Sequence, residues 1–201
     1  AFLNPTDLCF APVSGMHHAM PHSGSGFCTF SGQVIASVKL YEEFGAVGAW
    51  FDLDGHFGNS IEDTRSFNQL VDKAIPKLCN VNPRGYEEAY VSNFEQHLEL
   101  IGEKIKRGEV HYVVFAHGAD SHIDDDLGGS CSTKNWLKCA ELFAEWVNAI
   151  SDEIGRPLPV TLTLFGGYRK ANYNAVLDLH IGSLKTCWEI IGREKEGSVA
   201  A

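Results

Sequence analysis

The segment Trp50-Phe51-Asp52-Leu53-Asp54-Gly55-His56-Phe57-Gly58-Asn59 spaces two carboxylates and an imidazole two residues apart. Residues two apart in an extended chain share a face, so Asp52, Asp54 and His56 point the same way if a strand persists that far. Such a set can hold a metal ion or move protons, although so short a pattern also arises with neither role. A second cluster, Ala116-His117-Gly118-Ala119-Asp120-Ser121-His122, runs into Asp124, Asp125 and Asp126. The acidic run reads most simply as a solvated turn capping a helix that starts near Thr133. Two further segments carry the same kinds of group: Gly15-Met16-His17-His18-Ala19 followed by Ser25-Gly26-Phe27-Cys28, and Phe165-Gly166-Gly167-Tyr168. Taken singly, a His-His pair is commonly surface polar sequence, and Tyr168 is a loop aromatic. Cys28 reads as a buried small hydrophobe with no activating motif, and His97 as a surface residue.

These groups follow apolar runs of strand length. Val47 to Leu53, Val110 to Ala116 and Val160 to Phe165 are nearly continuous rather than alternating, as strands covered on both faces should be. Between them the apolar residues recur at helical period: Val34, Val38, Leu40 and Tyr41; then Tyr90, Phe94, Leu98, Ile101 and Ile105; then Leu137, Leu142, Phe143, Trp146 and Ile150. Ala175, Val176, Leu179 and Leu184 predict a last helix. Strands alternating with helices imply an α/β fold, a three-layer αβα arrangement on a mostly parallel sheet. In such sheets chemistry collects at the carboxyl ends of the strands, where these segments fall.

The 201 residues suffice for one domain, read as residues 1–192 with a tail at 193–201. Lys and Arg number 16 against 26 Asp and Glu, and no basic cluster could neutralise a run of phosphates. Nucleic acid is therefore not an expected ligand, and a cationic substrate or basic partner is electrostatically easier. The longest apolar stretches fall far short of the ~20 residues of a membrane span. The 6 cysteines lack zinc-finger spacing and read as reduced thiols, which with the absence of a signal-like start makes a cytoplasmic setting the expectation.

The ordered set of five motifs resembles the zinc-dependent histone deacetylase family, which includes acetylpolyamine amidohydrolases and acetoin-utilisation proteins. The set comprises Gly-Met-His17-His18-Ala, Ser25-Gly26-Phe27-Cys28, Asp52-Leu-Asp54-Gly-His56-Phe-Gly58-Asn59, Gly118-Ala-Asp120 through Asp125-Asp-Leu127-Gly128, and Gly166-Gly167-Tyr168. It spans about residues 12 to 190. The resemblance implies the arginase/deacetylase fold and hydrolysis of an acetyl or other short acyl group from an acylated amine such as acetyl-lysine or an acetylpolyamine. It makes Asp54, His56 and Asp120 ligands of Zn²⁺, with Fe²⁺ or Co²⁺ as substitutes, and allows a structural K⁺. By the same resemblance His17, oriented by Asp52, is a general base. His18 faces Asn59, stays near an ordinary imidazole pKa and protonates the leaving amine, while Tyr168 donates to the oxyanion. Phe27 and Leu127 line an apolar slot, the Gly26 carbonyl accepts from the substrate amide, and Gly166 and Gly167 leave room at the slot's floor.

The chain departs from the family pattern. The family's early strands and acidic rim loop are largely absent, Phe57 replaces a frequent second histidine, and Phe165 stands where glycine is common. One rival is a two-metal ureohydrolase, which needs a carboxylate where Gly58 stands. The other is a noncatalytic deacetylase-like protein that binds metal or an acyl ligand without turnover. Missing strands should leave an edge or apolar face exposed, so the expectation is a two-fold homodimer; the alternative is a monomer in which Ala1 to Pro12 folds back over the gap.

Overall fold

The computed structural model describes residues 1–5 and 8–196, so the end of the predicted tail, 197–201, lies outside the described residues. Five strands form one sheet: β1 (Cys9–Ala11), β2 (Gly48–Asp52), β3 (Asn80–Val81), β4 (Tyr112–Gly118) and β5 (Val160–Phe165). Their order is β1-β5-β4-β2-β3 and every pairing is parallel. The sheet is thus wholly parallel rather than mostly so. The helices are α1 (Gly32–Phe44), α2 (Ser60–Arg65), α3 (Leu70–Ala74), α4 (Glu88–Lys106), α5 (Thr133–Glu153) and α6 (Tyr173–Glu196). Helix α6 therefore includes the first four residues of the segment read as a tail.

Alternate residues of the central strands face opposite layers. Trp50 donates from its indole to Ser37 Oγ on α1 (2.9 Å), while its neighbour Phe51 meets Phe94 of α4 and Phe143 of α5. Phe115 stacks on Phe143 with ring centres 4.2 Å apart. Burying both faces is what makes these strands continuous apolar runs. The result is three layers, with α1 on one side and α4, α5 and α6 on the other.

The helix ends follow from local chemistry. Ser31 Oγ accepts from Val34 N, and Gly45, at φ 65°, ends α1 by donating its amide to the Leu40 and Tyr41 carbonyls. At the start of α5 the amide and hydroxyl of Ser132 and the side-chain amide of Asn135 all donate to Glu87 Oε2. Asp124 to Asp126 do not cap this helix, contrary to expectation; a carboxylate from a remote loop does.

Two further differences matter for the site. Strand β2 ends at Asp52, so Asp54 and His56 lie beyond the extended chain that would have aligned them. Strand β4 runs through Gly118, two residues past the apolar run, because His117 is buried against Trp136 with rings 3.5 Å apart. Strands β1 and β3, at 3 and 2 residues, are too short to leave a pattern. Register pairs Asp52 with Ala116 and Gly118 with Phe165, which brings the carboxyl ends of β2, β4 and β5 side by side.

At the amino-terminal side Phe2 packs on Phe44 and Tyr112, beside an apolar cavity of about 620 Å³ between α1 and the sheet. Helix α6 presents Leu177, Ile181 and Trp188 outward, the last two at 61% and 63% exposure. Among the described residues no helix is long and apolar enough to cross a membrane. All 6 cysteines are free thiols, and Cys28 is buried with burial pushing its thiol up, as its reading as a small hydrophobe requires.

Candidate active site

Beyond β2 the chain turns on its own side chains. Asp54 N donates to Asp52 Oδ1 (3.3 Å) and His56 N to Asp54 Oδ1 (3.0 Å). This turn, not strand periodicity, brings His56 Nδ1 to 3.1 Å from Asp54 Oδ1 and 2.8 Å from Asp120 Oδ2. Asp120 sits in a 3-10 turn, Ala119–Ser121, that follows β4, and its Oδ1 accepts from Gly55 N at 3.0 Å. One ligand atom from each of Asp54, His56 and Asp120 lies within 4.8 Å of the others. The two carboxylates are buried, and their only ionic partners among the described residues are His17 and His56. Burial, followed by repulsion from Asp54, pushes the Asp120 carboxyl up to about 7. A divalent cation relieves that repulsion, and a two-carboxylate, one-imidazole set with further positions open is the donor set of a catalytic zinc-type site. The residues fit the metal.

Glycines make the convergence possible. A Cβ at Gly166 would lie 2.1 Å from Asp120 Oδ1, at Gly118 2.5 Å from the same atom, and at Gly128 1.9 Å from the Asp120 carbonyl. Gly166 therefore makes room for Asp120, and Gly167 for Val176 of α6. At Gly58 a Cβ would come within 2.1 Å of Asp52 Oδ2, so the position where a two-metal enzyme needs a carboxylate is filled by the His17 and Asp52 pair.

The two histidines have different partners. His17 Nδ1 meets Asp52 Oδ2 at 2.9 Å, and its Nε2 lies 3.6 Å from Asp54 Oδ1. Burial pulls this imidazole down, but the Asp52 hydrogen bond and the charges of Asp52, Asp54 and Asp120 outweigh it, and its pKa is raised. His18 Nδ1 meets Asn59 Oδ1 at 2.7 Å, and Asn59 Nδ2 donates to Asp63 at 2.5 Å. Burial lowers His18, with help from neighbouring His17 and His56. It is thus held below an ordinary imidazole, not near it as the sequence implied. The edge of the Phe165 ring packs on His17, ring centres 4.9 Å apart.

Tyr168 completes the group. Its ring centre is 6.3 Å from that of His56 and 5.8 Å from that of Phe27. Burial and then the nearby carboxylates push its phenol up to about 12, so it stays a donor at neutral pH. Phe27, at φ 62°, is 82% exposed beside Tyr168, and Leu127 is 51% exposed. Gly26, at φ 50°, packs over the His18 ring, where a Cβ would lie 2.4 Å from Cδ2; its carbonyl accepts from the Cys28 thiol at 3.4 Å. Phe57 turns outward toward Arg84.

Sequence reading missed several supports. Asp125 accepts from Tyr168 N (2.6 Å) and Leu127 N (2.9 Å), and Asn82 Oδ1 accepts from Gly58 N (2.8 Å). His180 bonds the Gly166 carbonyl at 3.2 Å. Apart from the Leu127 amide, two residues from Asp125, these partners are remote in sequence and leave no local spacing to read.

The carboxyl edge of a parallel α/β sheet thus carries a two-aspartate, one-histidine cluster that could hold a metal ion. Residues 4–71 match the histone deacetylase domain family. Histone deacetylase 9 of Arabidopsis thaliana is 27% identical over 83% of this chain and 42% of its own length. An uncharacterized protein of Picosynechococcus is 28% identical over 82% of this chain and 57% of its own. Histone deacetylase 8 of Xenopus laevis is 40% identical over 28% of this chain. The HD domain of HDA15 superposes with a TM-score of 0.62 over 95% of this chain and 59% of that one, at 15% identity, which establishes the fold. In sequence and fold the chain is similar to the histone deacetylases, and it spans about half the length of the curated relatives it matches along most of its own.

Proposed function

We propose that the chain is a metal-dependent amidohydrolase that removes an acetyl or other short acyl group from an acylated amine. The observation that carries this reading is the convergence of both histidine pairs and Tyr168 on the Asp54, His56 and Asp120 cluster. A divalent metal held by those three residues, zinc first, would polarise the amide carbonyl and make a neighbouring water acidic. His17 takes the proton from the attacking water. With a cation offsetting Asp54 and Asp120, the charges that raise His17 diminish, and its Asp52 partner stabilises the imidazolium once formed. His18 lies beside His17, ring centres 4.0 Å apart, and hands a proton to the leaving amine. Because burial lowers its pKa, His18 must first take up that proton from solvent to form the imidazolium, and the proton that His17 took from the water returns to solvent once the amine has left. Tyr168 donates its hydroxyl to the oxyanion, and Phe27 and Leu127 flank the acyl chain at the open mouth.

The second reading is a metal- or acyl-binding protein without turnover, since the Asp54, His56 and Asp120 cluster can hold a metal whether or not hydrolysis follows. Elemental analysis and hydrolysis of a fluorogenic acetyl-lysine amide on the same sample separate the two. Bound metal with turnover supports the amidohydrolase, metal without turnover the binding protein, and no metal uptake overturns the amidohydrolase and metal binding alike. The free thiols accord with a cytoplasmic setting, and the outward apolar stripe of α6 accords with a two-fold dimer.

A further inference from the structure

Three consecutive aspartates each grip one of three consecutive residues in the loop after β5. Asp124 Oδ2 pairs with Arg169 Nη1 at 3.1 Å. Asp125 Oδ2 accepts from Tyr168 N at 2.6 Å, and Asp126 Oδ2 accepts from Lys170 N at 2.9 Å. The second oxygen of Asp125 accepts from Leu127 N at 2.9 Å, so one carboxylate spans the amides of two residues at the mouth of the site.

The loop needs such a hold. Tyr168 follows Gly166 and Gly167, at φ 34° and 130°, the residues that least restrict the backbone. Gly166 is tied to Asp120 by close approach, but nothing in a Gly-Gly hinge dictates where the next side chain stands. A phenol that serves an oxyanion must be placed to within a fraction of an ångström, since small misplacements cost rate. Bonding each aspartate to a donor also explains how three adjacent carboxylates are tolerated beside an already acidic centre.

We propose that Asp125, flanked by Asp124 and Asp126, is a positioning residue: the acidic run is a strap that sets where the Tyr168 hydroxyl stands over the metal cluster. The strap is a matter of structure alone; its effect on rate rests on the amidohydrolase reading. Asp125→Asn keeps the size of the side chain but exchanges one acceptor oxygen for a donor, so it cannot serve both amides.

Two readouts test the strap on the whole chain. Trypsin cuts after Arg169 and Lys170, inside the strapped loop, and Asp125→Asn should speed cleavage there by about tenfold while the thermal midpoint and metal content stay unchanged. With the fluorogenic acetyl-lysine amide, the same change should lower kcat by about tenfold or more with little change in KM. In a Tyr168→Phe background it should alter kcat by less than about twofold, because the group it positions is gone. Cleavage at the wild-type rate, or an equal loss of kcat in both backgrounds, overturns the proposal. Should the unaltered chain show no turnover, the amidohydrolase reading fails and the trypsin comparison alone decides the strap. If Asp125→Asn does not fold, Asp126→Ala, which removes the acceptor of the Lys170 amide alone, should still speed cleavage, and an unchanged rate overturns the strap.

Discussion

Asp120 is the residue on which most of the site converges, and its surroundings make the sharpest prediction. Gly166→Ala adds a methyl group 2.1 Å from Asp120 Oδ1, in a loop whose φ of 34° already disfavours a side chain. The carboxylate must shift, so metal affinity should fall by at least about tenfold, the loss expected when the shell around a ligand is disturbed. Titration calorimetry with zinc on chelator-stripped protein measures it, and wild-type affinity would mean that Asp120 is not a ligand. Tyr168→Phe has the opposite profile. Metal binding should be unchanged while turnover drops by about 10²-fold or more, because only an oxyanion donor is lost.

At the scale of elements, β4, α5 and α6 meet at His117, buried between the Trp136 ring and Ser183 Oγ at 2.9 Å. Burial, and then His180, hold this imidazole well below its usual range. The unfolded chain takes up a proton as pH falls through about 6.5 and the folded chain does not, so stability declines with acid below that pH. The slope approaches about 1.4 kcal/mol per pH unit for the one group. His122 and His180 are lowered too and add in the same direction. The raised His17, His56 and Asp120 act the other way, so the His117 share is read as a difference: from pH 7 to 5.5 the thermal midpoint of the unaltered chain should lose ground relative to that of His117→Phe, which keeps a ring on Trp136 without a titratable nitrogen. The strands and helices with long apolar signatures were legible in the sequence because burial on both faces leaves continuous runs. Strands β1 and β3 and the clasp on α5 by Glu87 were not, since a two-residue pairing or a cap from another loop has no local pattern. Within the site the residue types and their order were readable. The turn at Asp54 rests on side-chain acceptors two residues away that periodicity does not show, and the lowered His18 and the packing of Gly166 on Asp120 depend on contacts across the fold.

For the whole molecule, one sheet edge is the 3-residue β1, and α6 turns Leu177, Ile181 and Trp188 to solvent. An apolar stripe of this kind on a 24-residue helix suits a two-fold pairing of copies. Light scattering at micromolar concentration should find twice the 22.1 kDa chain mass, and Ile181→Glu should halve it. A soluble monomer of the unaltered chain would end the dimer proposal. The crowding around Asp120 bears on inheritance as well as chemistry. Gly118 ends β4, while Gly55, Gly128 and Gly166 lie in the loops after β2, β4 and β5, and each leaves the space of one missing carbon to the same residue. In a library that randomises this chain, those four positions should tolerate change no better than the ligands themselves. Anyone transplanting the centre to another scaffold must carry the glycines along with the aspartates and the histidine.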